Sequence, residues 1–334
     1  MNSVNRGHIY MLIIMLYMLA AQILMGIIIN ATGIELSFTA NALISQYVLI
    51  LLPAIIYFII TKSSIKNTLK FKKTTWTNIF LAIGIGIFIQ PLMNLINLIS
   101  QLFVTNYIGS YVKDMMSMPF LLLLFLLAVT PALVEEITFR GIILSNFKHQ
   151  SVLVACLING LFFGIFHGNI NQFLYAFVLG VVFCYLVHLT GSIIPAMVAH
   201  FVINASSLTM QKIMVILTNL FIPENSAILE TAANPDSSDI LVASLLVLFM
   251  VIVTLPIVLL LIRQMHRHNN KPNFIKNKAI SGVLLGDISS DEVNPEGETS
   301  HEKVITPVFI LIVVYFILYT ALFEFIIPAL TVAN

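Results

Sequence analysis

The chain has 334 residues, of which 59% are hydrophobic and only 9% charged. A soluble domain carries about 25% charge, so a chain this apolar cannot cover a water-facing surface; a lipid bilayer is the solvent that fits it. That excludes a cytosolic enzyme, a secreted domain and a nucleic-acid binder, and a net charge of +1 gives no reason to invoke a polyanionic partner.

A spanning helix needs about 20 mostly apolar residues. In chain order the candidate spans are 8–30, 41–61, 77–99, 118–146, 151–168, 171–188, 192–216, 239–262 and 305–331. They predict an all-α, polytopic transmembrane helical bundle of about eight to nine spans, with the short runs between 146 and 192 the least defined. The first run outlasts the 7–15 residues of a signal-peptide core, which makes it a retained helix. The chain divides into N-terminal spans over 1–117, a core over 118–216, an extracytoplasmic loop and helix over 217–262, a linker over 263–304 and a last span over 305–334.

Lysine and arginine in the loops set the orientation. With the N-terminus cytoplasmic, the inside segments hold Arg6, the lysines from Lys62 to Lys73, Lys148, and the basic residues from Arg263 to Lys303. Only Lys113 and Lys212 fall outside, while Arg140 lies within a span. Trp76 suits an interfacial anchor. The linker runs from basic (Arg267, Lys271, Lys276, Lys278) to acidic (Asp291, Glu292, Glu296, Glu298, Glu302), and its polar, Ser- and Gly-containing composition predicts disorder. Cys156 and Cys184 sit in apolar runs and read as small buried hydrophobes. The excess of lysine over arginine, with abundant Ile and Asn, suits an AT-rich bacterial genome and hence a bacterial cell membrane.

Charge at bilayer depth is costly, so it is usually paired and functional. The fourth span carries Glu135, Glu136 and Arg140. At about 100° per residue, Glu136 and Arg140 stack on one helical face as an i,i+4 pair, which leaves Glu135 about 100° round without that cation. One carboxylate is thus neutralised structurally, and the other is available as a general base. Phe163 and His167 stand i,i+4 at the end of the fifth run, where the ring can orient the imidazole. His200 and Asn204 stand i,i+4 on the seventh, whose Pro195 falls in the first turn. His188, near the basic end of the sixth span, reads as an interface histidine. From the helix rise, Glu135 lies about 16 Å, His167 about 24 Å and His200 about 12 Å from the cytoplasmic ends of their helices. Helix tilt has to close that spread if the three are to meet.

At these residues the chain resembles the CPBP family of intramembrane proteases, which groups type II CAAX prenyl endopeptidases with bacterial ABI and bacteriocin-processing proteins. The family motifs EExxxR, FxxxH and HxxxN are matched in order by Glu135-Glu136 to Arg140, Phe163 to His167, and His200 to Asn204. The likeness covers roughly 118–210. It implies hydrolysis of a peptide bond within the membrane, Glu135 and His167 activating water, His200 and Asn204 donating to the oxyanion, and Glu136, Arg140 and Phe163 holding and tuning the site. No cofactor is required by that mechanism. A metalloprotease alternative has Glu135, His167 and His200 as ligands of a zinc ion, although no HExxH spacing supports it. The implied substrate is a hydrophobic peptide or membrane protein in the lipid bilayer.

Two other functions use the same residues. A proton-coupled transporter would run a relay through Glu135, Glu136, His167 and His200, with the isolated Glu324 of the last span in its favour. A catalytically silent bacteriocin-immunity protein would keep the fold without the chemistry.

Overall fold

The structure, a computed structural model, describes residues 2–104, 115, 118–221, 236–269 and 303–327. Within these every regular element is helical: α1 (Ser3–Thr32), α2 (Phe38–Thr61), α3 (Trp76–Gln101), α4 (Phe120–Ile143), α5 (Val152–Phe166), α6 (Ile170–Thr190), α7 (Ile194–Phe221), α8 (Ser237–Asn269) and α9 (Pro307–Ile326), with a short turn of helix at Ile65–Thr68. Each apolar run gives one long helix. Several begin where a polar residue precedes the run and its side chain accepts a first-turn N–H: Ser37 for α2, Thr75 for α3, Ser151 for α5 and Thr306 for α9. Most of the linker, 270–302, and the loop 222–235 lie outside the described residues.

Eight of these helices are long and apolar enough to cross a membrane; α5, with 15 residues, is not. It measures about 22 Å at 1.5 Å per residue, short of a hydrocarbon core of about 30 Å. α5 is thus shorter than a full span, and the turn that joins it to α6 finds its hydrogen-bond partners within the protein. Gly168 takes a left-handed φ of 67°. Asn169 Nδ2 donates to the His167 carbonyl at 2.9 Å, and Asn169 Oδ1 accepts from Gln172 N at 2.8 Å. Glu324 Oε1, reaching across from α9, accepts from Ile170 N at 2.7 Å. The lone acid of the last span is thus a cap for α6.

One end of the bundle gathers the segments that the orientation argument puts on one side. Ile193 N donates to Lys70 O at 3.2 Å and Ser192 Oγ to Lys72 O at 2.7 Å, so the loop after α2 is folded under α7. Burial there pushes the Lys70 ammonium below its ordinary range. Asn78 and Asn269 exchange amide hydrogen bonds of 2.9 and 3.0 Å, and His8 on α1 bonds Thr306 at 2.8 Å. Trp76 is exposed at the first turn of α3, and His188 is exposed near the same end of α6. Cys156 and Cys184 are buried free thiols.

The interior is built round α4. Half of its span window, 50%, is buried, against 11% for α1 and α8, whose outer faces are apolar and suited to lipid. Around it α5 and α6 approach closely: a Cβ on Gly180 would meet Gly160 Cα at 2.6 Å. Small residues permit that contact, which is how helices associate where burial from water supplies no driving force.

Candidate active site

The polar centre starts from the backbone of α4. Its helix is α-type over Thr130–Glu136 and π-type over Ile137–Ile143, with a second π stretch at Phe125–Val129. A π turn leaves carbonyls displaced from the regular ladder, a feature common at functional sites. Side chains from neighbouring helices use them: Asn159 Nδ2 on α5 donates to Phe139 O at 2.7 Å, and Asn204 Nδ2 on α7 donates to Leu127 O at 3.0 Å. The two bonds clamp α4 on either side of its acids.

Glu136 and Arg140 form the ion pair expected from their spacing. Arg140 Nη1 donates to Glu136 Oε1 at 2.9 Å, with both side chains fully buried. Arg140 Nη2 donates to Gly180 O on α6 at 3.2 Å. The guanidinium carbon lies 4.3 Å from the Phe163 ring centre and 5.1 Å from that of Phe183, a cation–π cradle that suits a desolvated arginine. Sequence spacing could not show a third partner: His200 Nδ1–H donates to the same Glu136 Oε1 at 2.9 Å. Glu136 is therefore held by an arginine and a histidine at once.

Glu135 is also buried, yet no cation is bonded to it among the described residues. Its Oε1 accepts from the neutral amide Gln46 Nε2 of α2 at 3.1 Å. Its Oε2 stands 4.0 Å from His200 Nε2. Gln46 was not singled out from the sequence. It lies 89 residues before Glu135 in an ordinary apolar span, and no local spacing signals the contact.

Hydrogen-bond partners assign the imidazole tautomers. A carbonyl can only accept, so His167 Nδ1–H donates to Phe163 O at 2.7 Å, which leaves Nε2 with a lone pair when the ring is neutral. A carboxylate ion-paired to arginine also accepts, so His200 Nδ1 carries a proton and its Nε2 faces Glu135. The Phe163 ring meets both imidazoles edge-on, with centroids 5.0 Å from His167 and 5.9 Å from His200. Phe183 stacks on His200 at 5.2 Å. The two imidazoles thus share the Phe163 ring, so the spread in depth counted along the helices does not keep His167 and His200 apart.

His167 further lines a cavity of about 80 Å³ between α1, the α5–α6 turn and α9, with Met15, Gln22, Phe166, Tyr315 and Tyr319 among its walls. Among the described residues no group of three or more His, Cys, Asp or Glu side chains is arranged to hold a metal ion.

The family model described as Type II CAAX prenyl endopeptidase Rce1-like matches residues 117–206. No curated protein and no solved structure matches the chain. The match spans α4 to the middle of α7 and takes in Glu135, Glu136, Arg140, Phe163, His167, His200 and Asn204. The family is that of CAAX-type intramembrane proteases in general, and a bundle of apolar helices suits a substrate met in the membrane. Over 117–206 these central helices are therefore similar to the Rce1-like type II CAAX prenyl endopeptidases, which is consistent with the CPBP resemblance read from the motifs.

Proposed function

We propose that the protein is an intramembrane endopeptidase that hydrolyses a peptide bond of a hydrophobic peptide or membrane protein. The observation that carries this reading is the contrast between two adjacent buried acids. Glu136 is committed to Arg140 and His200, whereas Glu135 touches only a neutral amide and faces an imidazole nitrogen.

A carboxylate in that setting can take a proton from water, and the free Nε2 of His167 can hold the water beside it. The oxygen attacks the scissile carbonyl and the carbonyl oxygen gains the charge. His200 sits between Glu135 Oε2 and Glu136 Oε1, and its Nε2 edge is the side that can serve as a donor to that oxyanion. Asn204 keeps a second amide N–H after bonding Leu127 O and serves as the other donor. One such donor is worth about 10²–10³ in kcat. Glu135 then returns its proton to the departing amine nitrogen, the C–N bond breaks, and the water's remaining hydrogen leaves with the new carboxyl group. The arrangement of residues gives no support to a metal ligand set, and no step is routed through one.

The test is reconstitution of the purified protein in lipid vesicles with a library of hydrophobic peptides, the products being read by mass spectrometry. A fragment with a new amino terminus supports the reading. Substrate-dependent proton flux with no peptide product contradicts it and favours a carrier.

A further inference from the structure

The helix α2 lies outside the matched segment 117–206, yet it sends one polar side chain into the site. Gln46 belongs to the π-helical stretch Ile44–Leu51; its neighbour Tyr47 also reaches α4, with its hydroxyl 3.4 Å from Thr130 Oγ1, while Val48 is exposed. The wider π turn directs Gln46 towards α4. Only an amide nitrogen can donate to a carboxylate, so the 3.1 Å bond to Glu135 Oε1 fixes which end of the amide is which. The other end, Gln46 Oε1, is buried and has no hydrogen-bond partner among the described residues.

We infer that Gln46 is a positioning residue for peptide hydrolysis: Nε2–H holds the Glu135 carboxylate where it takes one O–H of the attacking water while the His167 Nε2 lone pair accepts the other. This rests on the endopeptidase reading. The water then has both hydrogens engaged and a lone pair aimed away from the two acceptors, towards the scissile carbonyl. The proton accepted by Glu135 passes to the amine, and the hydrogen directed at His167 stays on the product oxygen, so nothing is consumed at the amide.

The experiment compares wild type, Gln46→Met and Gln46→Glu in lipid nanodiscs on one fluorogenic hydrophobic peptide, with the melting temperature of each sample. Gln46→Met keeps the length of the side chain and removes donor and acceptor. Its kcat is expected to fall about 30-fold or more while KM stays within about twofold, because the lost contact belongs to the transition state. Gln46→Glu restores an acceptor at all pH values and a donor only when its new carboxyl is protonated. Its rate, relative to wild type, is expected to recover as the pH falls from about 8 to about 6. Unchanged kcat in Gln46→Met, or a rise confined to KM, overturns the inference. So does a Gln46→Glu ratio that is flat with pH, which decides the matter if Gln46→Met does not fold. If wild type cleaves nothing, the endopeptidase reading falls and takes this one with it. If wild type and Gln46→Met cleave equally, only the role of Gln46 falls.

Discussion

At the scale of single residues, the site separates two carboxylates that are neighbours in sequence. The spacing of Glu136 and Arg140 made their pairing legible, because i,i+4 geometry survives when the first residue ends an α turn and the second lies in a π turn. The partners contributed by other helices were not legible. His200 on Glu136 and Gln46 on Glu135 are separated from their acids by 64 and 89 residues, and no periodicity encodes such contacts. Glu324 was read as a possible relay acid and is instead a backbone cap for Ile170; its isolation in an apolar helix gave no hint of a partner on α6. The buried Glu136–Arg140 pair yields a prediction of its own. Arg140→Met leaves the buried Glu136 carboxylate with the His200 hydrogen bond alone and should destabilise the protein by about 3 kcal/mol. The double variant Arg140→Met, Glu136→Gln should recover most of that loss in a thermal-unfolding measurement. If the single and double variants melt together, the pair contributes no such constraint.

At the scale of elements, the apolar runs located every long helix, and the polar caps Ser37, Thr75, Ser151 and Thr306 fixed where several begin. The π stretches in α2 and α4 escaped sequence analysis, since nothing in an apolar composition marks a widened turn. They are where Asn204 and Asn159 bond the Leu127 and Phe139 carbonyls. The α5–α6 hairpin is the element that brings His167 to the site, and its close approach at Gly160 and Gly180 can be tested directly. Gly180→Ala would place a methyl 2.6 Å from Gly160 Cα and 3.0 Å from Phe163 Cβ, pushing α6 and its Arg140-bound carbonyl outward. A loss of about 1–3 kcal/mol with a matching fall in activity is expected, measured by thermal unfolding and peptide turnover. Gly26→Ala, where the new Cβ meets nothing within 4 Å, should do neither. Equal behaviour of the two variants would show that the hairpin contact is not constraining.

At the scale of the whole molecule, helices remote in sequence enclose a polar centre inside an apolar shell, the inverse of a soluble core. The loops clustered at one end carry most of the lysines and arginines, and on that ground we propose that this end is cytoplasmic. Single-cysteine reporters at Lys66 and Asp236, introduced where Cys156 and Cys184 are replaced, should react with an impermeant maleimide from opposite sides of the membrane. Labelling of both from one side would refute the orientation. The central claim is that the carboxylate of Glu135 performs the hydrolysis. Its most direct test is the turnover of one fluorogenic hydrophobic peptide by wild type and Glu135→Gln in nanodiscs. The account predicts a loss of at least about 10²-fold in kcat with the melting temperature retained; turnover of Glu135→Gln equal to wild type would contradict it.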